Sequence, residues 1–225
     1  MATGDAPPPL ADVVTRLPVG ELTWGDLVVP SGVRERFASL GDAVLAGGLV
    51  IVISGPAGVG KTFAARVWAE SLRLDLWRVD GERLLERHGA GVATRGLDEV
   101  LAFGRRPLGV LVLDRPERLV ATCRDALLAR LTDRRAPTVF EIGEQVPPSL
   151  AGLPRVTLTR PGRELRRRQW QLLVERASPL SAPDYERLAD LELTGAAIEA
   201  AVQAVVLGAG DERLETDALV AASGP

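Results

Sequence analysis

The sequence predicts an α/β fold, in which a parallel five-stranded sheet is sandwiched by helices and followed by an all-helical C-terminal segment. Up to Pro161, short apolar and β-branched runs alternate with stretches whose apolar residues recur at helical spacing. Strands that alternate with helices imply parallel pairing with both faces of the sheet covered. From Gly162 onward the sequence holds helical patterns alone. With 225 residues, 46% of them hydrophobic, the chain can bury a core of this kind.

Each element is predicted from its own local pattern. Residues 49–54 form a β-branched run that ends in Gly-Pro, which is typical of a buried strand, and Pro116 suits the first turn of a helix. The predicted strands are 49–54, 74–80, 109–114, 137–142 and 155–159. The predicted helices are 31–47, 61–73, 94–104, 116–131, 163–177, 183–190, 195–207 and 215–222. We therefore expect a disordered or linker start over 1–23, an α/β core over 24–160 and a helical segment over 161–225.

Composition and charge exclude several classes of protein. The formal net charge of −3 gives no general attraction to nucleic acid or to an anionic membrane surface, and Arg166 to Arg168 are expected to form a solvated helix face. The single cysteine, Cys123, excludes an intrachain disulfide. We see neither a secretory leader nor an apolar run long enough to span a bilayer, so we expect a cytoplasmic location. Lysine occurs once, arginine is abundant and asparagine is absent, which indicates a GC-rich bacterial genome.

One motif carries specific chemistry. Gly55-x4-Gly60-Lys61-Thr62 matches the Walker A (P-loop) pattern G-x-x-x-x-G-K-[ST] in full, with a predicted strand before it and a predicted helix after it. The glycines let backbone N–H groups turn inward around phosphate, the lysine bridges the β- and γ-phosphates, and the threonine hydroxyl ligates Mg²⁺. We therefore expect ATP or ADP, with Mg²⁺, to bind at Gly55, Pro56, Ala57, Gly58, Val59, Gly60, Lys61, Thr62 and Phe63.

A second motif supplies a carboxylate for the metal. The apolar run 110–113 ends in Asp114. A P-loop site needs a carboxylate at the end of a neighbouring strand to hold the water shell of Mg²⁺. Thr62 and Asp114 are therefore the predicted metal residues. The alternative is that Asp114 only caps the helix that follows it.

These motifs give the chain a resemblance to the AAA+ ATPases, over roughly residues 24–222. The similarity is carried by Trp24-Gly25-Asp26-Leu27-Val28-Val29-Pro30, GPAGVGKTFAA, LRLDLWRVDGERLLERHGAG, VLVLD and Leu193-Thr194-Gly195-Ala196-Ala197-Ile198. The resemblance implies a P-loop NTPase core with strand order 5-1-4-3-2, a helical AAA+ lid and often a ring oligomer. It also implies that Val28 and Val29 flank the adenine.

Three departures from the family pattern concern hydrolysis. Where active relatives carry a glutamate directly after the Walker B aspartate, this chain has Arg115. The asparagine that orients the attacking water has no counterpart, and Gly143 stands near its position. The lid arginine that senses the γ-phosphate maps onto Glu199. We therefore assign no catalytic residue, and we expect Arg115 either to pair with Asp114 or to lean toward the γ-phosphate.

Two further departures concern assembly. The pair of arginine fingers that normally precedes the fifth strand is replaced by residues 149–152, which leaves only Arg155. The aromatic residue of the pore loop maps onto His88. A homohexamer that threads a substrate is therefore doubtful, and we expect a protein partner or client instead, with no nucleic acid and no membrane partner.

Three functions stay open on these residues. The favoured one is an AAA+-type ATP-binding protein with weak or no hydrolysis, which acts as a nucleotide-dependent regulatory or scaffolding subunit. The second is an active AAA+ ATPase that remodels a protein client with another carboxylate, such as Glu117 or Glu141. The third is another P-loop phosphotransferase, such as a small-molecule kinase. A sheet with strand 1 between strands 5 and 4 would favour the AAA+ interpretation over the kinase.

Overall fold

The computed structural model describes residues 12–44, 49–88, 96, 98–100, 109–132, 136–209 and 213–224. These residues form two compact units. The first unit contains the sheet and runs up to Leu27, from Ser31 to Gly55 and from Lys61 to Thr157. The second unit contains Val28–Pro30, Pro56–Gly60 and the chain from Leu158 onward. The middle of the predicted phosphate loop is thus grouped with the C-terminal helices.

In the described part of the chain, the first unit is built on a six-stranded sheet. Its strands are β1 (Val14–Leu17), β2 (Val50–Ser54), β3 (Asp75–Asp80), β4 (Gly109–Asp114), β5 (Thr138–Ile142) and β6 (Arg155–Thr157). Their order across the sheet is β1-β3-β4-β5-β2-β6. All neighbours pair in parallel except β1, which is antiparallel to β3. The predicted parallel sheet is confirmed. When the parallel strands β2 to β6 are counted as strands 1 to 5, their order across the sheet is the expected 5-1-4-3-2, which favours the AAA+ interpretation over the kinase.

Strand β1 corrects the prediction for the start of the chain. The disordered or linker start predicted over 1–23 is wrong for Val14–Leu17, which pairs with β3 in the register Val14 to Val79. Val14 is buried, and Arg16 forms an ion pair with Asp75 at 2.7 Å. The unpaired edge of β3 offers backbone partners to any extended segment, and this pairing outweighs the polar, proline-rich composition of the stretch.

The helices described in the first unit are α1 (Ser31–Val44), α2 (Lys61–Ser71), α3 (Gly81–His88) and α4 (Glu117–Thr132). Helix α3 lies where no helix is predicted. Asp80 caps its start, because Asp80 Oδ1 accepts hydrogen bonds from the N–H groups of Glu82 and Arg83, both at 3.1 Å. The helix predicted over 94–104 lies mostly outside the described residues, of which 98–100 are helical.

The core of the first unit is formed by the sheet and the helices that pack against it. Strands β2 and β5 are buried along their whole length, as expected when helices cover both faces. Helix α2 packs against β2, β3, β4 and β5, and its Trp68 is fully buried, as is Trp77 of β3. Because parallel strands end at the same edge of a sheet, this topology brings the ends of β2, β4 and β5 to the edge where α2 begins.

The C-terminal part of the second unit is helical. It contains α5 (Arg163–Ala177), α6 (Tyr185–Asp190), α7 (Gly195–Ala209) and α8 (Thr216–Ala222). Trp170, Ile198 and Leu219 are buried in its core, and Trp170 Nε1 donates a hydrogen bond to the carbonyl oxygen of Leu188 at 3.0 Å. The predicted all-helical C-terminal segment is confirmed. Among the residues that the structure describes, no helix is long and apolar enough to cross a bilayer.

Candidate nucleotide-binding site

The predicted phosphate loop connects the end of β2 to the start of α2. Gly58 and Gly60 have φ angles of 76° and 90°, which residues with a Cβ rarely adopt. Lys61 and Thr62 are the first two residues of α2, and the first turn of a helix leaves N–H groups without partners inside the helix. A glycine-rich turn followed directly by a helix N-terminus suits an anion such as phosphate.

Within the second unit, the middle of this loop contacts the start of α7. The N–H of Ala196 donates a hydrogen bond to the carbonyl oxygen of Gly58 at 3.0 Å. A Cβ on residue 58 would lie 2.7 Å from Thr194 Oγ1. Space as well as φ therefore requires a glycine at this position. The space is limited by residues 193–198, the segment that resembles the family's lid motif.

Lys61 lies where the loop joins the helix, and its side chain reaches back to the start of the loop. Its Nζ donates a hydrogen bond to the carbonyl oxygen of Gly55 at 2.8 Å. The N–H of Gly55 in turn donates to the carbonyl oxygen of Gly143, just after β5, at 3.3 Å. An ammonium group on a flexible stem can exchange a carbonyl for a phosphate oxygen, so this position fits the role predicted for Lys61.

Thr62 is bonded to a buried carboxyl group. Its Oγ1 donates a hydrogen bond to Glu141 Oε2 at 2.8 Å. Glu141 is 4% exposed, and its Oε1 has no hydrogen-bond partner within the described chain. Burial raises the pKa of Glu141 to about 7, and the charge of Asp114 adds to the rise, whereas the Thr62 hydrogen bond and the charges of Arg78 and Lys61 oppose it. A half-satisfied carboxyl group in a core points to a functional site.

Asp114 ends β4 beside this carboxyl group, because Asp114 and Glu141 are partners in the register of β4 and β5. Its Oδ2 forms an ion pair with Arg78 Nη2 at 2.6 Å. Arg78 lies 36 residues earlier, on the neighbouring strand β3, and no signal in the sequence marks it as the partner. The predicted metal residues thus lie close to one another, but the charge of Asp114 is shared with an arginine.

The loop and the sheet order agree with a comparison against known families. The sequence model of the ATPase family associated with various cellular activities (AAA) matches residues 51–139, which extend from β2 into β5. This match supports membership of the AAA+ ATPase family. A search of the curated proteins found no match. The family match supports ATP binding by an AAA+ protein, and nucleotide binding in such proteins usually involves Mg²⁺.

Arg115, the residue after the predicted Walker B aspartate, turns toward the start of α3. Its Nη2 pairs with Asp80, and its Nη1 pairs with Glu82 at 2.8 Å. The predicted pairing with Asp114 is present only at 3.7 Å. These closer partners lie at the end of β3 and in the first turn of α3, more than 30 residues earlier in the chain, so no local signal points to them. The backbone approaches closely here, because a Cβ on Gly81 would lie 2.9 Å from the Arg115 carbonyl oxygen.

Gly143, predicted to stand near the position of the family's asparagine, forms two hydrogen bonds through its backbone. Gly143 presents its N–H to Glu117 Oε1 at 3.3 Å, and its carbonyl oxygen accepts the N–H of Gly55. Glu117 lies in the first turn of α4, so tertiary structure brings this carboxylate toward the start of the phosphate loop. Sequence distance alone gave no reason to expect that contact.

The other predicted residues lie as follows. Val28 and Val29, predicted beside the adenine, are half-buried and belong to the same unit as residues 56–60. Phe63 is 36% exposed on α2. Glu199 is exposed on α7. Helix α3 ends at His88, whose side chain lies outside the described structure. These positions do not by themselves assign a ligand.

The oxygens at this edge of the sheet fit a magnesium ion. Thr62 Oγ1, Asp114 and the unpartnered oxygen of Glu141 are hard ligands of the kind that Mg²⁺ prefers, and the ion keeps several waters in such sites. In the described ranges, no group of three or more His, Cys, Asp or Glu side chains could hold a metal. Bound with nucleotide, the ion would neutralise charge on the phosphates.

Proposed function

We propose that this chain binds Mg·ATP, or Mg·ADP, at the loop from Gly55 to Thr62 and hydrolyses ATP weakly or not at all. Its role would be that of a nucleotide-dependent regulatory or scaffolding subunit. The observation that carries the proposal is the position of Arg115, whose guanidinium is paired with Asp80 and Glu82 directly after the Walker B aspartate.

With Arg115 in place of the glutamate that active relatives carry, the acid–base group of hydrolysis is missing. Water attack on the γ-phosphate is assisted by a carboxylate that orients the water and accepts its proton. A guanidinium cannot accept a proton in a protein, and Asp80, followed by Glu82 and Asp114, raises the pKa of Arg115 further. Loss of one such group slows a reaction by about 10²–10⁴-fold.

Two more positions support slow turnover. Gly143 has no side chain that could orient water, and Glu199 is negative where the family carries an arginine for the γ-phosphate. Donors that stabilise the charge spreading over the transferred phosphoryl group are a major part of catalysis in this chemistry. Their loss adds to the loss of the carboxylate, although such effects are not additive.

The groups that bind phosphate are kept, and this favours a regulatory or scaffolding role. Lys61, Thr62 and the loop glycines are present in a geometry that suits an anion. A subunit that holds ATP for long periods can favour one conformation as long as nucleotide is bound. We propose a protein partner in a mixed complex. A stable ATP-dependent homohexameric ring in light scattering would contradict this proposal.

Two measurements test the binding and the hydrolysis separately. Calorimetry should give micromolar affinity for Mg·ATP, about −8 kcal/mol. The absence of both heat and a thermal shift at millimolar Mg·ATP would contradict nucleotide binding. A phosphate-release assay should give less than about one turnover per minute, against an enzyme median of about 10 per second. Release above about one per second that is lost in Lys61→Ala would contradict impaired hydrolysis.

An active ATPase is the second candidate, and one contact favours it. Glu117 Oε1 accepts a hydrogen bond from the N–H of Gly143 at 3.3 Å, so a carboxylate stands at the position of the missing asparagine. If Glu117 orients the attacking water, Glu117→Gln should lower the Lys61-dependent release rate by about 10²-fold or more. If turnover is slow and unchanged in Glu117→Gln, the hydrolysis-impaired function is supported.

A further inference from the structure

We infer that Glu141, rather than Asp114, is the carboxylate that positions the metal-binding hydroxyl of Thr62 and faces the divalent cation with its negative charge. This inference rests on the proposed nucleotide binding and deepens it, because it assigns the cation to the end of β5. The P-loop pattern itself would give this role to Asp114 at the end of β4.

The first step concerns the hydroxyl of Thr62. A hydroxyl group has one hydrogen and two lone pairs. In this chain the hydrogen is directed at Glu141 Oε2 over 2.8 Å, a normal distance for such a bond. The lone pairs of Thr62 Oγ1 are then turned away from Glu141, in the orientation that a cation ligand needs. Glu141 therefore acts as a positioning residue for Thr62.

The second step concerns the other oxygen of Glu141. Its side chain lies in a strand that is buried at every residue, yet Oε1 has no hydrogen-bond partner in the described structure. A buried carboxyl oxygen without a partner is costly, and a β-branched apolar residue would suit the strand better. A magnesium ion, or a water bound to it, would provide the missing partner.

The third step compares the two carboxylates. Asp114 Oδ2 lies 2.6 Å from Arg78 Nη2 and 3.7 Å from Arg115 Nε, so a cation near Asp114 would also meet two positive groups. The charges of Arg78 and Lys61 also reach Glu141, but Glu141 forms no ion pair within the described residues, and its single hydrogen bond comes from a neutral hydroxyl. A charge without a paired cation attracts a metal ion more strongly than one already shared. The observed pairing thus favours Glu141.

The test uses two matched variants of the full chain at pH 8, above the pKa of about 7 of Glu141. Glu141→Gln and Asp114→Asn then each remove one charge and keep the size of the side chain. The measured quantity is the ratio of the ATP dissociation constants in EDTA and in Mg²⁺. We expect Glu141→Gln to reduce this ratio by about tenfold or more and Asp114→Asn by less than about threefold. ATP affinity in EDTA should be nearly unchanged in Glu141→Gln, which would show that the loop is folded.

A double variant tests whether Glu141 acts through Thr62. Thr62→Val should remove the Mg²⁺ effect alone, and adding Glu141→Gln to it should cause little further loss, since the two residues act on one ligand. Independent, additive losses would contradict a positioning role. Should Glu141→Gln fail to fold, Asp114→Asn decides by itself, because the inference requires that this variant keep most of the Mg²⁺ effect.

Two results overturn the inference. A loss in Asp114→Asn that equals or exceeds the loss in Glu141→Gln would assign the cation to Asp114, while nucleotide binding by the wild-type chain would still support the proposed function. A wild-type chain that binds no ATP with or without Mg²⁺ would overturn the proposed function and the inference together. The two failures are therefore distinguished by the wild-type titration.

Discussion

The phosphate loop and the ends of strands β4 and β5 differ in how many residues of the family pattern they keep. The loop has the glycines, the lysine and the threonine of its motif, with positive φ at Gly58 and Gly60. The strand ends have Asp114 paired with Arg78, and Gly143 where a polar side chain is expected. Phosphate binding depends on backbone and one lysine, whereas hydrolysis depends on side chains at the strand ends, so one can be lost without the other.

Charge separates the two regions as well. Lys61 is the only lysine in the sequence, and the loop around it holds no acidic residue. At the strand ends, Arg78 and Arg115 meet Asp80, Glu82 and Asp114 in one network of ion pairs. Exposed ion pairs contribute little stability, but this network fixes where Arg115 points.

The largest effect is expected in the loop, for Gly58→Ala. The alanine would have to adopt the φ of 76° that Gly58 has, and its Cβ would lie 2.7 Å from Thr194 Oγ1. The left-handed conformation costs about 1–2 kcal/mol, and overpacking costs about 1–3 kcal/mol. We expect the free energy of unfolding to fall by about 2–5 kcal/mol, together with weaker ATP binding, as measured by chemical denaturation and calorimetry.

Gly152→Ala is the matched control, because a Cβ on residue 152 would meet nothing within 4 Å. Its free energy of unfolding should stay within about 0.5 kcal/mol of the wild type. Equal effects of the two substitutions would show that the contact between Gly58 and Thr194 does not constrain the loop.

The next effect is expected at the strand end, in the pH dependence of stability. Burial raises the pKa of folded Glu141 from 4.5 to about 7, so the folded chain holds a proton that the unfolded chain loses. The contribution of Glu141 to stability is therefore complete below about pH 4.5 and falls as the pH rises to about 7. Glu141→Gln does not titrate and so does not lose this stability, which is worth about 3 kcal/mol above pH 7.

Denaturation of the wild type and of Glu141→Gln at several pH values, in EDTA and without nucleotide, measures the difference between their free energies of unfolding. The free energy of unfolding of Glu141→Gln relative to the wild type should increase between about pH 5 and pH 8. A difference that stays constant with pH would mean that Glu141 is not a buried, titrating carboxyl group.

Lys61→Ala is expected to have an intermediate effect, on binding. The lysine is the one mobile positive charge in the loop, and its bond to the phosphates is charge-assisted. Affinity for Mg·ATP should fall by about tenfold or more, about 1.4 kcal/mol, in calorimetry. Arg118→Ala, an exposed cation on α4, is the control and should leave the affinity unchanged. Similar losses in both variants would indicate that general charge, and not the loop, attracts ATP.

The smallest effect is expected for Arg115→Glu, which restores the family residue after Asp114. Release of phosphate should increase by less than about threefold, because water would still lack an orienting group at Gly143. The same assay in Arg115→Gln controls for the removal of the positive charge. Recovery of about 10²-fold or more in Arg115→Glu alone would show that the other strand-end changes do not limit hydrolysis.

The sequence by itself determined the elements that have a local cause. Glycine spacing identified the phosphate loop, β-branched runs identified the core strands, and apolar periodicity identified the C-terminal helices. Resemblance then supplied the strand order, which the structure confirms. These predictions succeed because each depends on residues that are neighbours in the chain.

Tertiary structure decided the contacts between residues that are distant in the chain. Thr62 meets Glu141 across 79 residues and Asp114 meets Arg78 across 36, and neither pair has a local signal. Strand β1 forms because the edge of β3 accepts it. Which charged groups become partners is set by the register of adjacent parallel strands and by burial, and both arise only when the sheet has assembled.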